Sequence, residues 1–444
     1  MPQERLYAKS YMRNILQFIL KILAKIVLWK YQPEIIGVTG SIGKTSAKEA
    51  IYQVLKKQFR VRRNVRNYNN ELGVPLTILG LETAGRSLIA WLKNFFKAGA
   101  VIFWGKNYPE ILVLEMAVDR PGDMKYLLDF IPVKVGVITA IGQFPVHIEF
   151  FPEKGKLIEE KALLVKSLVK NSLAVLNYDD LSVRMIGDDL PEEVSIINYG
   201  MGQGADLKIM GYELVIRDLK KGDFGVSFKL EYQGSFVPVR LNKVLGKQQV
   251  YAVAAAVAVG LNFGLNLVKI SAALRKYRSL PGRTKLIKGI KNSWIIDDSY
   301  NSSPAAALAA LELLEEFSLG GLVPIESEAP NSNRRIAVLG DMLELGENTE
   351  AGHRQIGQQA ASVVDLLFTV GPRARFIADE AIQQGMVQEK IFKFFRPEEA
   401  ALSLQKRLLP GDIILIKGSR AIHLEKIVKE IMAEPKKADK LLVK

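Results

Sequence analysis

Ile35-Ile-Gly-Val-Thr-Gly-Ser-Ile-Gly-Lys-Thr-Ser46 is the stretch from which the fold is read. Ile35, Ile36 and Val38 have the apolar, β-branched character of a buried strand end. Gly37, Gly40 and Gly43 free the backbone for a tight loop. Lys44, Thr45 and Ser46 then open a helical pattern that continues through Ala47-Lys-Glu-Ala-Ile51. Strand, glycine loop and helix N-terminus, in that order, make an anion cradle, because backbone N–H groups and the positive end of the helix dipole face one point. Gly40, Ser41, Gly43 and Ser46 frame the cradle. Lys44 can reach the β/γ-phosphates of a nucleotide, and the Thr45 hydroxyl can hold Mg²⁺. Val38 stands where the strict phosphate-loop pattern has Gly. The competing reading is a glycine-rich turn with a chance Gly-Lys-Thr; the flanking strand and helix weigh against it.

The chain around this loop has 444 residues, 48% of them apolar, and no cysteine. That length predicts two or three domains with real cores. The missing thiols exclude disulfides, thiolate metal sites and a cysteine nucleophile, and they fit a reducing compartment. The net charge is +14, and residues 1–70 hold 14 Lys/Arg against 3 Asp/Glu. A basic start can meet nucleic acid, anionic lipid or a polyanionic substrate. Residues 11–30 favour lipid. Asn14, Gln17, Lys21 and Lys25 make a narrow polar stripe on an otherwise apolar helix, with Trp29 and Tyr31 near its end. Lysines interrupt it too often for a transmembrane span, and the pattern fits peripheral contact at a membrane interface. Docking on the domain's own core is the competing reading. Residues 86–107, with Trp91, Phe95, Phe96, Phe103 and Trp104, read either as a second surface helix or hairpin beside the first or as a buried element, and burial is the favoured reading.

Downstream, Ile111-Leu-Val-Leu-Glu115 reads as a buried strand ending in a carboxylate, and Lys134-Val-Gly-Val-Ile-Thr139 as another, with His147 beyond it. Ligands in open parallel α/β sheets collect at the carboxyl ends of strands. Lys44, Thr45, Glu115 and His147 share that position, which points to one site. A helix is expected over 155–170, a strand and turn over 173–180, a meander of strands over 193–243, and a buried Ala/Val-rich helix over 250–262. Leu280-Pro-Gly-Arg283 reads as a boundary. Beyond it, Trp294-Ile-Ile-Asp-Asp-Ser-Tyr-Asn-Ser-Ser-Pro304 reads as a strand running into a polar loop and an Ala/Leu-rich helix over 305–316, strands at 335–340, 366–370 and 412–417 alternate with helical patterns, and 321–334 reads as a solvated loop. The fold class is therefore α/β: a phosphate-loop, parallel-sheet domain followed by a Rossmann-like α/β domain. The expected divisions are 1–34, 35–283 and 284–444.

Taken together, several ordered motifs resemble the Mur ligase family, and most closely its MurF type. They are Gly37-Val-Thr-Gly-Ser-Ile-Gly-Lys-Thr-Ser46, Asn67-Tyr-Asn-Asn-Glu-Leu-Gly-Val-Pro75, Leu114-Glu-Met-Ala117, Asn177-Tyr-Asp-Asp180, Pro281-Gly-Arg283, Asp297-Asp-Ser-Tyr-Asn-Ser-Ser-Pro304, Leu339-Gly-Asp-Met-Leu-Glu-Leu-Gly346 with His353, and Gly411-Asp-Ile-Ile-Leu-Ile-Lys-Gly-Ser-Arg420. The resemblance implies an ATP-dependent ligase that joins D-Ala-D-Ala to UDP-MurNAc-tripeptide through an acyl phosphate, in the cytoplasm; the helical pattern of residues 11–30 would hold it near the inner face of the membrane. It implies that Lys44 holds the phosphates, that Thr45 and Glu115 bind one Mg²⁺, and that His147 and a carbamylated Lys161 bind a second. It further implies ATP contacts from Arg283 to the phosphates and Asp298 to the ribose, with Asn301 nearby. Asn69 and Asn70 would line the peptide side, and Lys417 and Ser419 would face the dipeptide. No nucleic-acid partner is expected.

Three departures from the family pattern stand out. Gly246-Lys-Gln-Gln249 replaces the usual Gly-Lys/Arg-His-Asn, Glu115-Met-Ala-Val118 lacks the usual Gly, and about 34 residues precede the phosphate strand where a UDP-gripping domain is usual. The last departure leaves two substrates open: the UDP-linked tripeptide, gripped by the central domain and the basic 56–66 stretch, or a lipid-linked precursor, as for MurT-type relatives. Folylpolyglutamate- or cyanophycin-type ligases and a membrane-attached nucleotide-binding protein are the wider alternatives.

Overall fold

A computed structural model describes residues 2–65, 68–85, 87–319 and 334–443. Arg66 and Asn67, and residues 321–333 of the expected loop, lie outside them. The chain forms two compact units: Met1–Ala140 with Glu153–Lys208 and Ala252–Ala273, and Ile141–Pro152 with Ile209–Tyr251 and Leu274–Lys444.

The first unit opens with helix α1 (Pro2–Tyr31), followed by β1 (Glu34–Thr39), α2 (Lys44–Leu55), β2 (Val61–Arg63), α3 (Gly73–Leu79), α4 (Leu88–Trp104) and β3 (Ile111–Glu115). It continues with α5 (Asp123–Leu128), β4 (Val135–Ile138), α6 (Lys154–Lys166), β5 (Leu173–Asn177), α7 (Leu181–Asp188) and β6 (Ser195–Gly200). The sheet order is β2-β3-β1-β4-β5-β6, all parallel. Strands covered on both faces must be apolar throughout, and β3 and β4 are buried at every position. The register pairs Val38 with both Glu115 and Val137. The phosphate loop and the Glu115 carboxylate therefore emerge at the same sheet edge.

The meander expected over 193–243 divides. β6 joins the parallel sheet, whereas β7 (Leu207–Asp218), β8 (Asp223–Tyr232) and β9 (Ser235–Asn242) follow in order, with β8 and β9 an antiparallel pair. Next come α8 (Lys247–Asn262) and α9 (Leu267–Leu274).

The second unit continues with β10 (Lys285–Lys288), β11 (Trp294–Asp298), α10 (Pro304–Leu319), β12 (Arg335–Gly340), α11 (Thr349–Val363) and β13 (Leu366–Val370). Its remaining elements are α12 (Arg375–Gln383), β14 (Ile391–Phe394), α13 (Pro397–Arg407), β15 (Ile413–Lys417), α14 (Glu425–Ile431) and α15 (Ala438–Leu441). Its sheet runs β10-β11-β15-β12-β13-β14, parallel except for the edge strand β10. One core gathers Ile296, Leu311, Leu339, Ile356 and Ile377; a second gathers Ile295, Val338, Leu404, Ile416 and Val428. Alternate residues of the same strands feed the two cores, as period-two side chains require.

Residues 86–107 depart from expectation. They form α4, but only Asn94 and Ala98 of that helix are buried. Its inward face is two small or polar residues wide, so most of its apolar side chains point outward.

Candidate active site

Gly43 is the N-cap of α2, in the left-handed region (φ 84°), and as glycine it lays no side chain over the helix start. The first-turn N–H groups of α2 therefore stay directed at the loop. Gly40, at φ 138°, lies against Thr139, whose hydroxyl a Cβ would strike; only glycine suits both demands. The Thr139 hydroxyl is 2.6 Å from the Ile42 carbonyl and 3.1 Å from that of Thr39. β4 thus fixes the loop from one side. Lys44 Nζ folds back over it, 2.8 Å from the Gly40 oxygen and 3.4 Å from that of Ser41. That is where a lysine must lie to meet phosphate oxygens bound in the cradle.

Glu115 is not a solvated strand terminus: it is 4% exposed. Its Oε1 accepts from Thr45 Oγ1 and Asn69 Nδ2, each at 3.2 Å. Its Oε2 lies 3.3 Å from the ammonium of Lys48, itself buried. Asn64 fixes the Glu115 main chain, donating to its carbonyl and accepting from its N–H, both at 2.9 Å. The sequence reading passed over Lys48 and Asn64. Lys48 carried a usable signal, since it lies one turn from Lys44 on the same helix; Asn64 carried none. Asn70 is engaged differently from Asn69. Its Oδ1 accepts from the Leu72 and Gly73 N–H groups, and it lines a cleft of about 310 Å³ with Gln17, Glu71, Asp119 and Asp123.

Lys161, on α6, is completely buried, and its Nζ lies 3.3 Å from the Gly40 carbonyl. Burial, and next the Lys44 charge, push its ammonium down to about 7. A cation this deep loses its hydration, so the neutral amine is favoured.

The basic 56–66 stretch is less available than expected. Arg62 donates to the carbonyls of Thr77 and Ile78 and stacks on Tyr108. Arg63 pairs with Glu49 at 2.7 Å, and Arg60 lies 3.3 Å from Glu110.

The remaining expected residues lie in the second unit. β11 and β15 pair Asp298 with Lys417 directly. The Lys417 ammonium bonds the Asp298 carboxylate and lies 3.1 Å from the Asn301 carbonyl. Thr284 N–H donates to the other Asp298 oxygen at 3.0 Å. Arg283 lies over the Tyr300 ring, 4.2 Å from its centroid. Ser419 accepts from Leu343 N–H at 2.9 Å. His147, at φ 70°, places Nδ1 2.7 Å from Glu344 Oε2. In the altered Gly246-Lys-Gln-Gln249 segment, Gln249 accepts from the Tyr277 hydroxyl at 2.7 Å, and Lys247 lies 3.3 Å from Glu312.

Among the described residues, no cluster of three His, Asp or Glu forms a metal cage. The first unit offers the Thr45 hydroxyl and the Glu115 carboxylate, hard oxygens on one side of the phosphate loop. Mg²⁺ suits such a set, because it keeps water and phosphate oxygens as its other ligands.

Comparison with known proteins places this geometry in a family. The profile of the Mur ligase middle domain matches residues 38–260, and that of the Mur ligase, glutamate ligase domain matches residues 282–420. The UDP-N-acetylmuramoyl-tripeptide–D-alanyl-D-alanine ligase of Bacillus subtilis is 29% identical over 94% of this chain and 79% of its own length. The enzyme of the same name from Mycobacterium leprae is 28% identical over 88% of this chain and 72% of its own. Among solved structures, MurF ligase from Thermotoga maritima in complex with ADP has a TM-score of 0.73 and 26% identity, covering 96% of this chain and 84% of that one. With two profiles matched in order along the chain, this protein belongs to the Mur ligase family.

Proposed function

We propose that this chain is an ATP-dependent peptide ligase that adds D-Ala-D-Ala to UDP-MurNAc-tripeptide in peptidoglycan precursor synthesis. The observation that carries this reading is the convergence of Lys44, Thr45, Glu115 and Lys161 on one phosphate loop. The names of the relatives that match over most of the chain supply the substrates.

In this reading the γ-phosphoryl group of ATP passes to the tripeptide carboxylate, forming a P–O bond as ADP leaves. The amine of D-Ala-D-Ala then attacks the acyl phosphate carbonyl, loses a proton and expels phosphate. The protein's task is to position partners and balance charge. Lys44 and the α2 N-terminus hold the phosphates. Thr45 and Glu115 would hold a Mg²⁺, which when bound neutralises phosphate charge. A carbamylated Lys161 would add a carboxylate-like oxygen ligand for a second Mg²⁺, and His147 is likewise assigned to metal binding. Arg283, Asp298 and Asn301 are assigned to the nucleotide. Lys417 already bonds Asp298 and the Asn301 carbonyl, so it is assigned to holding those two in place and, with Ser419, to the dipeptide side. Asn69 and Asn70 are assigned to the peptide acceptor. Residues 35–283 then serve as the ATP-binding part and 284–444 as the part for the incoming amine. The setting is the cytoplasm, with residues 11–30 in peripheral contact with the membrane.

Phosphate release from ATP and Mg²⁺ tests the reading. It is expected to require both UDP-MurNAc-tripeptide and D-Ala-D-Ala, with a product heavier by the dipeptide. Release unchanged by omitting the dipeptide would overturn it. The exposed apolar helix α4 favours a second reading, a lipid-linked acceptor, which the same assay with membranes would detect.

A further inference from the structure

Among the described residues, much of the apolar surface of α4 lies exposed. Ile89, Leu92, Phe96, Ala100 and Phe103 follow one another at steps of three or four, which puts them on one helix face. Ile89, Phe96 and Phe103 are 82%, 80% and 72% exposed, and the neighbouring Trp104 is 76% exposed. α1 repeats the design. Its Leu20, Ala24, Val27 and Leu28 are buried, while Ile15, Phe18, Ile22, Ile26 and Trp29 form an outward stripe at the same spacing. The two helices are tied at their C-terminal ends. Lys30 Nζ donates to the Ile102 carbonyl at 2.5 Å, and the Tyr31 hydroxyl lies 2.6 Å from that of Val101. Trp29, Phe103 and Trp104 therefore lie at the joined end. Exposed apolar surface on this scale marks an interaction site.

Charge identifies the occupant. No Asp or Glu occurs between Arg5 and Pro33 or between Thr83 and Pro109. Lys25 and Lys30 of α1, and Lys93, Lys97 and Lys106 in and just after α4, are exposed beside the stripes. Two copies of this surface would set lysine against lysine. Apolar stripes rimmed by cations and tryptophan instead match an anionic bilayer, where acyl chains meet phosphate headgroups. No described helix is long and apolar enough to cross a membrane, so both would lie in the interface.

We propose that α1 and α4 form one docking surface for an anionic lipid bilayer, with α4 entering the headgroup layer. The surface uses none of the residues assigned to ligation and does not depend on that assignment. The full chain should float with vesicles of phosphatidylcholine and phosphatidylglycerol, and much less with phosphatidylcholine alone. The double variant Phe96→Glu/Phe103→Glu, which leaves the α1 stripe whole, should lower partition at least about tenfold, with the melting temperature unchanged. Brominated lipids should quench the tryptophan emission of the unaltered protein, a readout that needs no variant. Absence of flotation, absence of quenching, equal partition of variant and unaltered protein, or a lipid-independent dimer that the variant dissolves would each overturn the proposal.

Discussion

Lys48 Nζ and Glu115 Oε2 lie 3.3 Å apart, with the two side chains 1% and 5% exposed. The opposite carboxylate oxygen faces Thr45 and Asn69. Lys48 thus compensates the charge on one side of Glu115 and leaves the other side for a cation beside the phosphates. Removing one member of a buried pair strands the other's charge. Lys48→Met should destabilise the fold by about 3 kcal/mol, measured by urea unfolding. Adding Glu115→Gln should recover more than half of that loss. Strict additivity of the two changes would show that the pair is not coupled.

Lys44 makes a different prediction, because its ammonium rests on the carbonyls of the phosphate loop, 2.8 Å from that of Gly40 and 3.4 Å from that of Ser41. Lys44→Ala should lower phosphate release at least about a thousandfold while shifting the melting temperature by less than about 3 °C. Retention of a tenth or more of the activity by a normally folded variant would remove Lys44 from the site.

What could be read in advance divides along physical lines. The phosphate loop was legible because its glycines, lysine and threonine act through local backbone geometry, and the observed φ angles at Gly40 and Gly43 are those such a loop demands. The strands ending at Glu115 and Lys417 were legible because continuous apolar runs mark buried parallel strands. Asn64 was not, since it acts on Glu115 from a different segment of the chain that only the fold brings beside it, and Lys48 was signalled only by its place one turn from Lys44. α4 shows the opposite failure. Its aromatics were favoured as buried, but apolarity alone does not say whether the fold covers them, and here it fully buries only Asn94 and Ala98 of that helix.

His353 links pH to stability in the second unit. Its Nε2 accepts from Met342 N–H at 3.0 Å, so the proton sits on Nδ1, which faces the Thr349 carbonyl at 2.6 Å. Burial lowers its pKa below the ordinary histidine value of 6.5, with the Thr349 hydrogen bond opposing and Arg373 reinforcing the shift. Below the unfolded pKa the unfolded chain binds the proton first, so the contribution is full above about pH 6.5 and fades as the pH falls toward the folded pKa. Melting temperatures of the unaltered protein and His353→Gln, followed from pH 7.5 to about pH 5, should converge on acidification. Parallel curves would deny the linkage.

Lys161 carries the most specific chemical expectation. It is fully buried beside the phosphate loop, and Lys44 is the largest charge acting against its ammonium. A neutral amine there can attack carbon dioxide. From the neutral amine, the new N–C bond and loss of one proton give a carbamate anion beside the Lys44 cation, which replaces repulsion with attraction and supplies the oxygen donors that Mg²⁺ prefers. Lys161→Ala should therefore lose at least about a hundredfold in turnover, and acetate or propionate, entering the space vacated, should restore part of it. Lys161→Met, which keeps that space filled, should not respond. Full activity of Lys161→Ala without added carboxylate would remove the carbamate from the mechanism, and equal rescue of both variants would show that the added acids act elsewhere.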